Sequence, residues 1–160
     1  MDKKSEVYNF YLRTKGGWGV VSGKSMEPTL KEGWKIKVEP SDEDKIKIGD
    51  IALFGQDSLT CHRIIGKVKF FGQAYFIHKG DNPSIGGIFG AKDLMGKITK
   101  VFDEKGQGVE KEKWQYNSVK NIKIFSYVYL FMYLVKRCIC GRKINRLSCS
   151  VNQFCWKVLT

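Results

Sequence analysis

Residues 21–30 read Val-Ser-Gly-Lys-Ser-Met-Glu-Pro-Thr-Leu. Their centre carries a hydroxyl on a turn. Gly23 frees the backbone just ahead of Ser25, and Met26 and Pro28 then hold that serine in place. Such a turn makes Ser25 a candidate nucleophile. Most serines in Gly/Ser/Pro turns only cap or hydrogen-bond their own backbone, so the remainder of the chain must supply partners. Three later segments follow in order: Gly49-Asp50-Ile51-Ala52-Leu53-Phe54, Cys61-His62-Arg63-Ile64-Ile65-Gly66 and Lys79-Gly80-Asp81-Asn82-Pro83.

Together these boxes resemble the signal peptidase and LexA-like serine protease superfamily. The resemblance runs from about Val20 to Phe102 and takes in Leu94-Met95-Gly96-Lys97. Most members of that superfamily place a lysine base where this chain has His62 followed by Arg63. A histidine there is similar to the SipW-like signal peptidases and to the catalytic subunit of the endoplasmic reticulum enzyme, which also share the Lys-Gly-Asp-Asn run. The resemblance implies a Ser25/His62 pair. It also marks Gly23, Met26, Pro28, Arg63 and Gly80 as motif positions.

The chemistry such a pair must perform is specific. A serine hydroxyl attacks an amide at neutral pH only when a neighbouring base takes its proton as the new bond forms. His62 is such a base without any shift, its ordinary pKa lying near 6.5. Its second ring nitrogen needs a holder, and a carboxylate does this while stabilising the imidazolium. Asp81, in a Gly-Asp-Asn-Pro turn, is the candidate; the alternative is that it only closes that turn. The backbone N–H of Ser25, joined by that of Lys24, is the candidate oxyanion donor set. Arg63 is expected to pair with an acid or a carbonyl, and His78 is read as a strand histidine with no catalytic part.

Two features depart from the relatives. Trp34 follows Gly33 where they carry an aspartate, and no acid follows Asp81 until Asp93. These departures motivate a second reading, a non-catalytic peptide-binding module. Self-cleavage of the LexA kind ranks last, because no helix-turn-helix precedes Val20. No cofactor is expected. Cys138, Cys140, Cys149 and Cys155 offer thiolates, but a Cys-x-Cys spacing is not the usual zinc knuckle, so no metal is assigned. The five cysteines are odd in number and are read as reduced thiols.

Positioning these groups falls to β-structure. Trp34, Ile36 and Val38 alternate with Lys35, Lys37 and Glu39, the period of a half-buried strand. Residues 50–54, 60–70, 74–78 and 96–102 read as further strands bounded by Gly, Asp and Asn turns. Residues 41–44 form a solvated acidic loop. The expected class is mainly β: a coiled, antiparallel protease domain of the signal-peptidase/LexA type over residues 1–108, followed at 109–160 by a basic, aromatic-rich, partly helical extension. With 160 residues, 17 glycines and three prolines the chain suits one turn-rich domain plus a tail.

Of the net charge of +12, residues 111–160 carry +9, from ten Lys/Arg against Glu112. Residues 110–116 read as a short helix. The apolar run at 124–135 is too short for a spanning helix, which needs about 20 residues. It suits an interfacial segment or a helix packed on the domain. Peripheral membrane contact through residues 120–140 is therefore expected, and nucleic acid is the weaker partner because no base-reading motif accompanies the charge. With residues 1–17 charged and polar, no anchor precedes Ser25, which places the expected work in the cytoplasm or at the cytoplasmic membrane face, on an extended signal or leader peptide.

Overall fold

The computed structural model describes residues 11–55, 58–82 and 86–114. Seven strands, β1 (Gly17–Val20), β2 (Lys35–Glu39), β3 (Ile51–Phe54), β4 (Thr60–Phe70), β5 (Gln73–Lys79), β6 (Gly87–Gly90) and β7 (Leu94–Phe102), form one open sheet ordered β1-β2-β7-β3-β4-β5-β6. Every pairing is antiparallel. The architecture is mainly β. Among the described residues, helix occurs at residues 11–15 and in one turn, α1 (Lys111–Trp114), with single 3-10 turns at Glu43–Lys45 and Ala91–Asp93. None of the described helices is long and apolar enough to cross a membrane.

Pleating sorts the side chains into two cores, because successive strand residues point to opposite faces. On one face Ile36, Val38, Ile51, Leu53, Cys61, Met95 and Val101 pack with Val21, Met26 and Leu30 from the turn after β1. On the other, Ala52, Phe54, Ile64, Phe76, Phe89 and Leu94 form a smaller aromatic cluster. The alternation read in β2 is observed, Ile36 and Val38 being buried and Lys35 and Glu39 exposed. Trp114 is buried in the first cluster and Val109 packs against it, so the folded unit continues past residue 108.

Close approach explains one glycine. At Gly96 of β7 a Cβ would lie 2.3 Å from the carbonyl oxygen of Glu39, so only glycine lets these strands meet at this spacing. The acidic loop lies under the long β4–β5 hairpin. Lys67 Nζ donates to the Glu43 carbonyl at 2.6 Å and stands 3.8 Å from Asp44.

Candidate active site

The turn carrying Ser25 hangs between β1 and β2. Val21 N–H donates to Trp34 O at 2.8 Å and Gly33 N–H to Val21 O at 2.9 Å, which closes the neck of the loop. Gly23 adopts φ +86°, a left-handed value that favours glycine. Met26 and Leu30 anchor the loop in the core, joined by a Leu30 N–H to Met26 O bond of 2.9 Å. Ser25 is consequently buried, at 6% exposure.

A second turn clamps this loop from across the sheet. Asn82 N–H donates to Ser25 O at 3.0 Å, and Asn82 Nδ2 to Lys24 O at 3.1 Å. In a planar trans peptide the N–H lies anti to the carbonyl, so fixing the Lys24 carbonyl on Asn82 aims the Ser25 N–H away from Asn82. The orientation of that amide, one of the two oxyanion donors expected from the sequence, is thereby set by a side chain 58 residues away.

Arg63 organises the other side of the turn. Its Nε donates to Asp81 Oδ1 at 2.8 Å and its Nη2 to Asp81 Oδ2 at 2.6 Å, a two-pronged pair in which the arginine side chain is 5% and the aspartate 16% exposed. Its Nη1 reaches Gly49 O at 2.8 Å and its Nη2 also reaches Trp114 O at 3.0 Å. One guanidinium thus ties β4 to the turn before β3, to the Gly80-Asp81-Asn82 turn and to α1. The sequence reading that Arg63 pairs with an acid or a carbonyl is met on both counts.

His62, next along β4, points to the opposite face. It stands across from Ala52 of β3, while Ile64 stands across from His78 of β5, so His62 and His78 are diagonal neighbours on one face. Their Nδ1 atoms are 3.0 Å apart, a hydrogen bond in which one ring donates and the other accepts. Phe54 lies against both rings, with centroids 6.4 Å from His62 and 4.5 Å from His78, and Phe89 closes over His78 at 5.7 Å. Gly87 makes room for this pair: a Cβ there would stand 2.8 Å from His78 Nε2.

This aromatic setting governs protonation. Burial holds His62 well below its ordinary value, at about 4, against a smaller upward pull from the Asp81 charge. Burial and then the neighbouring His62 push His78 down to about 3. Both rings are uncharged at neutral pH. Cys61, on the other face of β4, is buried and its thiol is pushed up to about 12, first by burial and then by Asp81, so it is no nucleophile.

The expected orienting role of Asp81 takes a different form. Both its oxygens are held by Arg63, and the nitrogen of His62 that it was to hold is held by His78. The pleat is the reason, because Arg63 and His62 leave β4 on opposite faces and the turn bearing Asp81 serves the Arg63 side. Among the described residues no hydrogen bond joins Ser25 Oγ to His62. The two are linked through the turn, Ser25 by Asn82 and β4 by the Asp81–Arg63 pair. The sequence reading gave Asn82 only its place in a turn motif and took His78 as a strand histidine with no catalytic part; the fold puts Asn82 against the Ser25 loop and His78 against His62.

Gly23, Met26, Arg63 and Gly80 are buried or turn positions in this assembly, and Pro28 is exposed on the loop rim. Among the described residues no group of three or more His, Cys, Asp or Glu is placed to hold a metal ion. The four cysteines 138, 140, 149 and 155 and the apolar run at 124–135 lie outside the described residues. Comparison with known families, curated proteins and solved structures yields no match.

Proposed function

We propose that this chain is a serine endopeptidase of the signal-peptidase/LexA type that cleaves an extended signal or leader peptide, with Ser25 as nucleophile and His62 as general base. The observation that carries the reading is the Asn82 clamp. It docks a buried serine turn onto the same Gly80-Asp81-Asn82 turn that braces Arg63 beside an uncharged, buried histidine. The ordered sequence boxes supply the rest of the support.

In the proposed reaction an extended peptide lines up along the edge of β1, which among the described residues pairs only with β2 and leads straight into the Ser25 turn. For the reaction, seating of the peptide has to bring Ser25 Oγ, which lies on the Arg63 side, to His62, whose ring leaves β4 from the other face. The Ser25 N–H and its Lys24 neighbour face the developing oxyanion. The work is done in the cytoplasm or at the cytoplasmic membrane face, with the basic segment 120–140 as the membrane-attaching element.

A second reading has its own support. The commitment of Asp81 to Arg63 and of His62 Nδ1 to His78, with no Ser25–His62 hydrogen bond, also suits a peptide-binding module that does not cut. Incubation with a diverse pool of peptides bearing small residues separates the two. Endopeptidase activity predicts cuts by the wild type that vanish in Ser25→Ala and His62→Ala variants of unchanged fold. Peptides retained by all three and cut by none would replace the first reading with the second.

A further inference from the structure

We infer that His78 is the positioning residue of the proposed catalytic histidine: it accepts the Nδ1–H of His62 and so presents His62 Nε2 as the proton acceptor. The inference rests on the endopeptidase reading and fills the place expected for Asp81.

A neutral imidazole carries one ring proton, and only the nitrogen without it can act as a base. The two Nδ1 atoms meet at 3.0 Å, so one of them bears the shared proton. If His78 donated, His62 would carry its own proton on Nε2 and could not accept one from Ser25. If His62 donates, Nε2 is the basic nitrogen, and His78 carries its proton on its own Nε2, the atom that lies over Gly87. The second arrangement is the one that does chemistry. As the bond from Ser25 Oγ to the substrate carbonyl carbon forms, the hydroxyl proton passes to His62 Nε2; as the carbon–nitrogen bond breaks, the same proton passes to the leaving amine. The Nδ1–H stays on its His78 acceptor throughout.

The surroundings hold the pair in place. Phe54 contacts both rings, Phe89 lies on His78, and the side chain missing at Gly87 leaves the space His78 occupies. A buried and a half-buried histidine aligned nitrogen to nitrogen beside an apolar cluster cost desolvation that a pair of leucines would not, and the site tolerates that cost.

The test reads the tautomer of His62 by ¹⁵N NMR of the imidazole nitrogens in the full chain at pH 7, beside peptide-cleavage kinetics. The expected wild-type state is Nδ1 protonated and Nε2 unprotonated. His78→Leu, which cannot accept, should move His62 to the Nε2–H form and lower kcat by roughly 10²- to 10⁴-fold with little change in KM, the pattern of a base held in the wrong tautomer. His78→Asn, whose Oδ1 can stand where Nδ1 stood, should restore the tautomer and most of kcat. A wild-type His62 protonated on Nε2, or a folded His78→Leu variant with kcat within twofold of wild type, overturns the inference. A chain that cuts no peptide yet shows the expected tautomer, lost in His78→Leu, overturns the endopeptidase reading while upholding the pairing.

Discussion

Truncation of Asp81 to alanine should damage the fold before it damages any chemistry. The carboxylate holds Arg63 through two short hydrogen bonds, and the arginine side chain is 5% exposed. Removing one member of such a pair strands the other charge, at a cost of about 3–5 kcal/mol. The lower end applies, because Asp81 sits nearer solvent at 16% exposure and the guanidinium keeps its bonds to Gly49 O and Trp114 O. In a domain of this size about 3 kcal/mol lowers Tm by about 12 °C or more. Arg63→Met should cost at least as much, since it orphans the carboxylate and both carbonyls. The double variant Arg63→Met/Asp81→Leu should lose less than the sum of the singles, with a coupling energy of about 2 kcal/mol. Urea unfolding followed by tryptophan fluorescence measures all four proteins, Trp114 reporting from the core. An Asp81→Ala protein within about 0.5 kcal/mol of wild type, or strictly additive variants, would show that the Arg63–Asp81 pair does not carry this stability.

Three further outcomes are expected. Because burial lowers both histidines, to about 4 and about 3, the unfolded chain binds protons that the folded one does not as pH falls below about 6.5. Stability is full above that pH and is lost progressively toward pH 4, by roughly 3 kcal/mol from His62 alone; a pH series of urea midpoints checks this, and a His62→Gln/His78→Leu variant should show a flatter profile. Phe76→Ala, at a fully buried ring stacked 5.2 Å from Phe89, should cost about 3–5 kcal/mol in the same assay. Gly96→Ala should cost about 1–3 kcal/mol or more, because the new methyl group meets the Glu39 backbone and neither strand can yield without breaking the β2–β7 pairing; an unchanged midpoint would show that the strands separate freely there.

The sequence made the middle of the sheet legible and its edges illegible. Strands β2, β3, β4, β5 and β7 announce themselves by alternation or by apolar runs between turn residues. Edge strands β1 (Gly17-Trp18-Gly19-Val20) and β6 (Gly87-Ile88-Phe89-Gly90) are half glycine, and only pairing with a neighbour makes them strands. The Ser25 turn could be read because its signal is local. The partner of His62 could not, because it depends on register: β4 and β5 slip by one residue between Ile64 and Gly66, and without that bulge His78 would not stand across from Ile64. Asn82 likewise looks like a turn residue until the fold carries it to the Lys24 and Ser25 carbonyls. Asp81 was found for its carboxylate, but which neighbour claims that carboxylate is decided by which face of β4 each side chain leaves from.

In the proposed endopeptidase reaction Ser25 becomes covalently attached to the substrate. Wild-type chain mixed with an excess of a cleavable peptide, quenched in acid within the first turnover and digested for mass spectrometry, should carry the peptide's amino-terminal fragment as an ester on the segment containing Ser25, and Ser25→Ala should carry none. Cleavage with no adduct under conditions that trap esters, or an adduct on another residue that persists in Ser25→Ala, would contradict it.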